Sequence, residues 1–238
     1  MEDGTYPRGL VDKSLFGRIE DHVVNDVDRG DLKLVSHGRK INKMGVPHGH
    51  IQAVVELLSL FGLVDVSYDT TNKRLLSTFV DKWHADTNTF HLSIEELTIT
   101  LDDLSNLLHL PIIRKFYTYP NLYVVVAMDL LVQSLCVDCG ATIAETRHCQ
   151  GGNMRLNWLR EVYEDVCNNK QWTVAATAYL LHLVSCIIFV DKNVTLVRLS
   201  YMRFFVDLRH TEGYSWVTTA LIHMYKHLGY TSYANMGS

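Results

Sequence analysis

Residues 90–112 read FHLSIEELTITLDDLSNLLHLPI and contain two hydrophobic patterns in succession. Apolar and polar side chains first alternate, which is the two-residue period of a half-buried strand. The alternation changes parity at the acidic pair 95–96, so it predicts a hairpin or a bent strand. From residue 101 the apolar residues are three and four apart, which places their side chains on one face of a helix. The stretch therefore predicts a small β-hairpin element around residues 88–100, followed directly by a short helix.

The predicted helix has local start and stop signals. Thr100 is a favourable N-cap residue, and Asp103, three positions later, can return the hydrogen bond as in a capping box. Pro111 lacks a backbone donor and restricts the residue before it, so the helix must end before this proline. We expect the apolar residues of both patterns to supply core: Phe90, Leu92, Ile99, Leu101, Leu104, Leu107 and Leu108.

Composition limits the classes of function. The 238 residues are 47% hydrophobic, which is enough to bury one large core or two small ones. The chain has 22 basic and 26 acidic residues, which give a net charge of −4. The densest basic cluster, HGRKINK at residues 37–43, contains three cations. A protein that mainly grips a phosphate backbone usually carries a longer basic stripe, so the composition disfavours that class.

The cysteines indicate a reducing compartment. Their number is odd, and the N-terminal sequence MEDGTYPRG is acidic and polar, unlike a signal or transit peptide. We therefore expect free thiols. The five cysteines all lie in the second half of the chain: Cys136, Cys139, Cys149, Cys167 and Cys186.

Helical spacing recurs along most of the chain, and the architecture that accounts for it is mainly α. Gly62 is a natural stop for the first helix, and Trp83 is expected at the end of the second. The polar segment DCGATIAETRHCQGGN at 138–153 predicts a loop. We expect a single helical domain with its β element at residues 31–230, a mobile arm at 1–30 and a tail at 231–238.

The most apolar run, TVAATAYLLHLVSCIIFV at residues 173–190, is about as long as a short membrane span. It contains polar residues, and neither an arginine cluster nor an aromatic belt marks its ends. This pattern favours a buried core helix.

The sequence offers only weak evidence for a metal site or a catalytic site. Cys136 and Cys139 with His148 and Cys149 are zinc-type ligands, but their spacing fits no known zinc motif and predicts ordinary thiols. The histidines of PHGHI at 47–51 predict a solvent-exposed loop. The chain contains no nucleophile elbow, P-loop or dinucleotide fingerprint, so we expect no catalytic residues, no cofactor and no metal, although an active site assembled from distant residues stays open.

A DNA-reading helix-turn-helix is half present. TLDDLSNLLHLP at 100–111 is typical of a first helix, with Arg114 and Lys115 beyond it. The sequence IIRKFYTYPNLYVV, which should supply a recognition helix, is broken by Pro120 and is rich in tyrosine and valine. Direct DNA binding is thus a weakly supported alternative.

The segment FVDKWHADTNTFHLSIEELTITLDDLSNLLHLPI at 79–112 resembles the hallmark stretch of the plant mobile domain, also labelled aminotransferase-like plant mobile domain, the family of the MAINTENANCE OF MERISTEMS and MAIN-like proteins. The resemblance extends over about residues 32–228. Ser93 stands where the family usually has proline, and Leu97 where it usually has methionine. The positions that match the motif, for which we expect structural roles, are Trp83, Thr89, Phe90, His91, Leu92, Glu96, Thr98, Ile99, Thr100, Leu101, Asp103, Leu107, Leu108, Leu110 and Pro111.

The resemblance implies a role in the nucleus, in silencing of transposable elements, control of gene expression and maintenance of meristems. It also implies a protein partner that resembles phosphatase 7. It also implies that the family's closing helices are missing from this chain. Two hypotheses follow. The first is a non-catalytic interaction module that acts through proteins, and the alternative is a nucleic-acid-binding module derived from a mobile element.

Overall fold

Helices dominate the protein, and its strands are few and short, so the prediction of a mainly helical fold is confirmed. The computed structural model describes residues 44–66, 73–113, 122–149, 151–190, 195–211 and 213–236. The α-helices are α1 (Gly49–Leu57), α2 (Gly62–Asp65), α3 (Lys73–Asp81), α4 (Leu101–Leu108), α5 (Val124–Leu135), α6 (Cys139–His148), α7 (Leu156–Asn168), α8 (Trp172–Ile187), α9 (Leu208–Thr211) and α10 (Trp216–Met236). A 3₁₀ helix covers Leu199–Phe204, and the strands are β1 (Trp83–His84), β2 (Thr89–His91), β3 (Glu96–Leu97), β4 (Asn153–Arg155) and β5 (Leu196–Arg198).

The chain divides into two compact units, and the division cuts through the stretch 90–112. Among the described residues, the smaller unit comprises 73–98 and 228–236, and the larger unit comprises 44–66 and those between 99 and 227. The alternating half of the stretch thus belongs to the smaller unit and the helical half to the larger one. The arm predicted at residues 1–30 lies outside the described residues.

The smaller unit is built on a three-stranded antiparallel sheet in the order β1-β2-β3. Phe90 is central, because it pairs with Trp83 on one side and with Leu97 on the other. The rings of Trp83 and Phe90 are both buried, with centroids 4.8 Å apart, and Phe79 of α3 meets Phe90 edge-on at 5.6 Å. These aromatic rings form the apolar side of the sheet, and their burial stabilises it.

The predicted hairpin is confirmed as β2 and β3, but the sheet has a third strand. Trp83, expected at the end of a helix, lies in β1, because α3 ends at Asp81 and the chain turns before the tryptophan. The backbone N–H of Leu92 donates to the carbonyl of Glu95, at 3.0 Å, and closes the turn where the alternation changes parity.

The larger unit packs around α8, which is buried along almost its whole length. It contacts α7, α1 and α5, and Tyr179 and Leu180 are among its fully buried side chains. The prediction of a buried core helix is confirmed. Within the described ranges, no helix combines the length and the apolar character needed to cross a membrane.

Helix α4 begins and ends where the sequence predicted. The Thr100 hydroxyl accepts from the Asp103 N–H at 3.2 Å, and the Asp103 carboxylate accepts from the Thr100 N–H at 2.8 Å, which completes the capping box. These hydrogen bonds hold the pKa of Asp103 below its ordinary value. His109 ends the helix in the left-handed conformation, with φ of 53°, and Pro111 follows.

The leucine face of α4 is narrower than expected. Leu104 and Leu108 are buried, and Leu101 packs against the same core, but Leu107 is 50% exposed. Successive helical residues are about 100° apart around the axis, so Leu107 projects away from Leu108. Its assignment to the core was wrong.

The segment predicted as a loop at 138–153 contains α6. The side chain of Asp138 caps this helix by accepting from the Ala141 N–H at 2.9 Å. The buried side of α6 is formed by Thr142, Glu145 and Thr146, which are polar. Apolar periodicity therefore could not detect this helix.

Gly62 does not stop α1, which already ends at Leu57; it starts α2. A Cβ at position 62 would lie 2.6 Å from the His109 Cβ and 2.7 Å from the His109 carbonyl oxygen. Glycine is needed here because the two backbones approach closely.

Two further features were not expected. Strands β4 and β5 form a second antiparallel sheet in the larger unit, with Asn153 opposite Arg198. Helix α10 continues to Met236, past the tail boundary predicted after residue 230.

Candidate interaction site

Five polar side chains of the smaller unit lie together on one side of its sheet. We call them the polar sheet face: His84, Thr87, Thr89, His91 and Glu96. Side chains alternate along a strand, so Thr89 and His91 point away from the buried Phe90 between them. The strand pairing places Thr89 opposite His84 and Glu96 opposite His91.

The members of the polar sheet face are in mutual contact. The rings of His84 and His91 stack, with centroids 4.6 Å apart and 4° between their planes. The Thr87 hydroxyl lies 2.7 Å from that of Thr89, 3.5 Å from His84 Nδ1 and 3.4 Å from His91 Nε2. A Glu96 oxygen lies 3.5 Å from His91 Nε2. Most of these contacts are long, so the side chains keep capacity for other partners.

The polar sheet face suits recognition by hydrogen bonds. Its hydroxyls and imidazoles donate and accept, and the Glu96 carboxylate accepts. The rings of His84 and His91 are nearly parallel, so the nitrogen lone pairs lie in two parallel planes and do not point at one common ion. Among the residues that the structure describes, no group of three or more His, Cys, Asp or Glu side chains could hold a metal ion.

The motif residues fall into two groups. Trp83, Thr89, Phe90, His91, Leu92, Glu96 and Thr98 lie in the smaller unit, and Ile99, Thr100, Leu101, Asp103, Leu107, Leu108, Leu110 and Pro111 lie in the larger one. The motif did not point to His84 and Thr87. A detectable signal was the turn-type sequence DTN between WH and TFH, which indicates the β1–β2 hairpin that brings these side chains to the sheet face.

A second polar cluster, in the larger unit, is centred on a buried carboxylate. Glu145 of α6, whose side chain is 3% exposed, accepts from the backbone N–H of Arg155 at 2.7 Å and from its guanidinium at 2.6 Å. The Cys149 thiol donates to the same carboxylate at 3.5 Å. Burial alone raises the pKa of Glu145, but the hydrogen bonds from Arg155 outweigh it and hold that pKa below its ordinary value.

The same cluster determines the chemistry of Cys149. Burial first, and then the Glu145 carboxylate, raise the pKa of the thiol. A thiol with a raised pKa is a poor nucleophile at neutral pH. The hydrogen bonds between Glu145 and Arg155 join α6 to β4. Cys136 and Cys139, the other candidate zinc ligands, are exposed.

The histidines of PHGHI are exposed, as predicted, but the segment is not a loop, because α1 begins at Gly49. His48 caps α1 by accepting from the His50 N–H at 3.4 Å. Both rings stack on Trp172, with centroid distances of 4.3 and 5.3 Å. Arg114, Lys115 and most of the expected recognition helix lie outside the described residues.

A cavity of about 410 Å³ lies in the larger unit beside the β4–β5 sheet. Its aliphatic lining residues are Leu122, Val124, Ala127, Leu196 and Leu199. Asn153, Arg198 and Ser200 supply polar groups, and Gly152 completes the lining. The sequence does not reveal this cavity, because its lining residues come from three separate segments between positions 122 and 200.

Known proteins with similar sequences agree with the resemblance. Protein MAIN-LIKE 1 from Arabidopsis thaliana is 28% identical over 94% of this chain and 45% of its own length. Protein MAINTENANCE OF MERISTEMS from the same plant is 27% identical over 68% of this chain and 33% of its own length. A Serine/threonine-protein phosphatase 7 long form homolog, also from Arabidopsis thaliana, is 26% identical over 74% of this chain and 13% of its own length. The chain spans less than half the length of these relatives. No solved structure matches it.

The profile of the plant mobile domain matches residues 60–236, which is most of the chain. The match includes the whole of the stretch 90–112 and both groups of motif residues. The protein therefore belongs to the plant mobile domain family.

Proposed function

We propose that this chain is a non-catalytic interaction module that works in the nucleus by binding a protein partner. The observation that carries the proposal is the division of the family motif. Most of its apolar residues are used for packing, whereas Thr89, His91 and Glu96 lie on the polar sheet face, in contact mainly with one another. Polar residues with no packing role suit the recognition of a partner.

The other polar clusters are better explained by stability than by catalysis. Glu145 is engaged by Arg155, and the raised pKa of Cys149 keeps it a thiol. A catalytic site needs a nucleophile or an acid–base group that faces a substrate. These buried groups instead join one helix to one strand.

The names of the relatives support a biological setting for this proposal. Their names refer to the maintenance of meristems and to a phosphatase 7 homolog. We propose that this chain contributes to transposable-element silencing, to control of gene expression and to meristem maintenance, with a phosphatase-7-like protein as partner. The similarity covers 13% of the phosphatase homolog's own length, so the shared part is a small portion of that protein.

The test is affinity purification of the tagged chain from plant nuclei, with identification of bound proteins. We expect recovery of a phosphatase-7-like protein with the wild-type chain and its loss with the double variant His91→Ala/Glu96→Ala. Both residues are partly exposed, so the variant should fold normally.

The control is the double variant Arg160→Ala/Glu164→Ala, which removes a partly exposed ion pair on α7 outside the polar sheet face. It should retain the partner. Equal recovery by wild type and the sheet-face variant, or no specific nuclear partner for the wild type, would contradict the proposal.

A further inference from the structure

We propose that Ser93 is a phosphorylation site of this protein, modified by an acid-directed serine/threonine kinase with ATP as the phosphoryl donor. Ser93 lies in the turn between β2 and β3, two residues after His91 of the polar sheet face. The assignment of this site does not depend on the proposed function. Only the effect of the phosphate on partner binding rests on that function.

The sequence contains four hydroxyl residues with the acidic pattern that such kinases select. Their substrate grooves carry cations, which favour a serine or threonine followed three positions later by an acidic residue. In the whole chain this spacing occurs at Thr78, Ser93, Thr100 and Thr142. Two of these four, Ser93 and Thr100, also have an acidic residue at the second position after the hydroxyl. The charge pattern alone therefore does not choose between Ser93 and Thr100.

The fold shields three of the four hydroxyls. Thr78 and Thr142 are buried, and the Thr142 hydroxyl donates to the carbonyl of Asp138 at 3.0 Å. Thr100 is exposed, but its hydroxyl donates to the Asp103 carboxylate at 2.7 Å and accepts from the Asp103 N–H at 3.2 Å. Phosphorylation of Thr100 would therefore require the capping box to break and the start of α4 to unwind.

Ser93 is the acceptor that the fold presents to an enzyme. It is exposed, and the neighbouring Ile94 is 89% exposed, so this turn projects into solvent. The turn is closed by the hydrogen bond from the Leu92 N–H to the Glu95 carbonyl, and β3 contributes only two residues, both exposed. A hairpin end with so little buried surface can open locally and enter a kinase groove as an extended segment.

The reaction is a phosphoryl transfer from ATP. The Ser93 Oγ forms a bond to the γ-phosphorus while the bond between that phosphorus and the bridging oxygen of ADP breaks. ADP leaves with the bonding electron pair, and the hydroxyl proton passes to the catalytic aspartate of the kinase. A neutral side chain thereby gains a charge of about −1.5 to −2 at pH 7.

The phosphate would lie beside the polar sheet face. Two residues of chain span at most about 7 Å, which limits the separation of the Cα atoms of His91 and Ser93. Glu95 and Glu96 already place negative charge next to this position. A phosphate beside acidic residues opposes association through like-charge repulsion and the cost of its desolvation. We therefore expect phosphorylation to weaken binding of a partner to the polar sheet face.

The first experiment treats the full 238-residue chain with casein kinase II, ATP and magnesium ions, and locates the phosphate by tandem mass spectrometry. We expect phosphate on Ser93, far less on Thr78, Thr100 and Thr142, and loss of the main product in Ser93→Ala. Absence of phosphate from Ser93, or modification of Thr100 at an equal rate, would overturn the inference.

A charge variant tests the assigned class of kinase. Glu95→Gln/Glu96→Gln should slow phosphorylation of Ser93 at least about tenfold, because it removes the carboxylates that the kinase selects. The matched control, Glu161→Gln/Glu164→Gln, removes two exposed carboxylates from α7 and should be modified like wild type. Equal rates for both variants would overturn the assignment to an acid-directed kinase.

The nuclear purification, run with phosphatase inhibitors, separates this inference from the proposed function. The phosphorylated chain should recover about tenfold less partner than the untreated chain, whereas kinase-treated Ser93→Ala should recover as much as untreated wild type. Equal recovery by the phosphorylated and untreated chains would overturn the effect on partner binding. If Ser93 were phosphorylated as expected but the untreated chain had no nuclear partner, the proposed function would fail while the modification site stood.

Discussion

Glu145 illustrates how a single buried residue can fasten two elements together. Its carboxylate is almost fully withdrawn from water, and Arg155 compensates the lost hydration with hydrogen bonds from both backbone and side chain. A buried carboxylate left without such a partner is strongly unfavourable. The pair therefore fixes α6 against β4, although α6 has little apolar surface of its own.

We predict that Glu145→Gln lowers the free energy of unfolding by about 1.5–3 kcal/mol at neutral pH, because the charge-assisted hydrogen bonds are lost. Urea denaturation of both proteins measures the difference. The control, Glu164→Gln, breaks a partly exposed ion pair with Arg160 and should cost less than about 1 kcal/mol. Equal costs for the two variants would contradict the assigned role.

The same pair predicts a pH dependence. The pKa of Glu145 lies below its ordinary value of 4.5, so the folded protein binds this proton more weakly than the unfolded chain. Its stabilising contribution is therefore complete above pH 4.5 and is lost as the pH falls through the folded-state pKa. The difference in stability between wild type and Glu145→Gln should shrink in that window, and a constant difference would show that the charge is unimportant.

At the scale of elements, α4 shows that the ends of a helix are determined locally, whereas its buried face is determined by neighbouring elements. The Thr100–Asp103 capping box is satisfied by residues within one turn. The buried face is set by neighbouring elements, so Leu104 is 6% exposed and Leu107 is 50% exposed, although both belong to the same apolar pattern.

We predict opposite outcomes for the same substitution at these two positions. Leu104→Asp should unfold the protein, because it places an unpaired charge in the core. Leu107→Asp should cost about 1 kcal/mol or less, mainly from a negative charge near the negative end of the helix dipole. Circular dichroism with thermal melting compares them. A folded Leu104→Asp protein, or an unfolded Leu107→Asp protein, would contradict the burial of this helix.

At the scale of the whole molecule, the charge balance bears on the nucleic-acid alternative. The chain has a net charge of −4 and a sequence pI of about 6.3. Nonspecific DNA binding depends on cations that displace counterions from the phosphates.

We therefore expect a dissociation constant weaker than about 10⁻⁴ M for a random duplex at physiological salt, measured by fluorescence anisotropy. The measurement should be repeated at 50 and 200 mM salt. Tight binding that falls steeply between these concentrations would favour the nucleic-acid-binding module over the proposed interaction with proteins.

The parts of the fold that could be predicted from the sequence are those specified by neighbouring residues. The capping box, the β2–β3 hairpin and the buried helix α8 each depend on residues within a few positions of one another, so spacing and residue type suffice to predict them. Helix α6 was missed because its buried side is polar, and its stability depends on Arg155, which no periodicity links to it.

The sequence by itself determined the family and the local elements, because the motif and its caps are encoded over short distances. Only the tertiary structure decided which apolar residues are buried, where His84 meets His91, and where the cavity around Arg198 opens. These properties depend on chain segments that are brought together by packing, and the pattern within one segment contains no information about its neighbours in space.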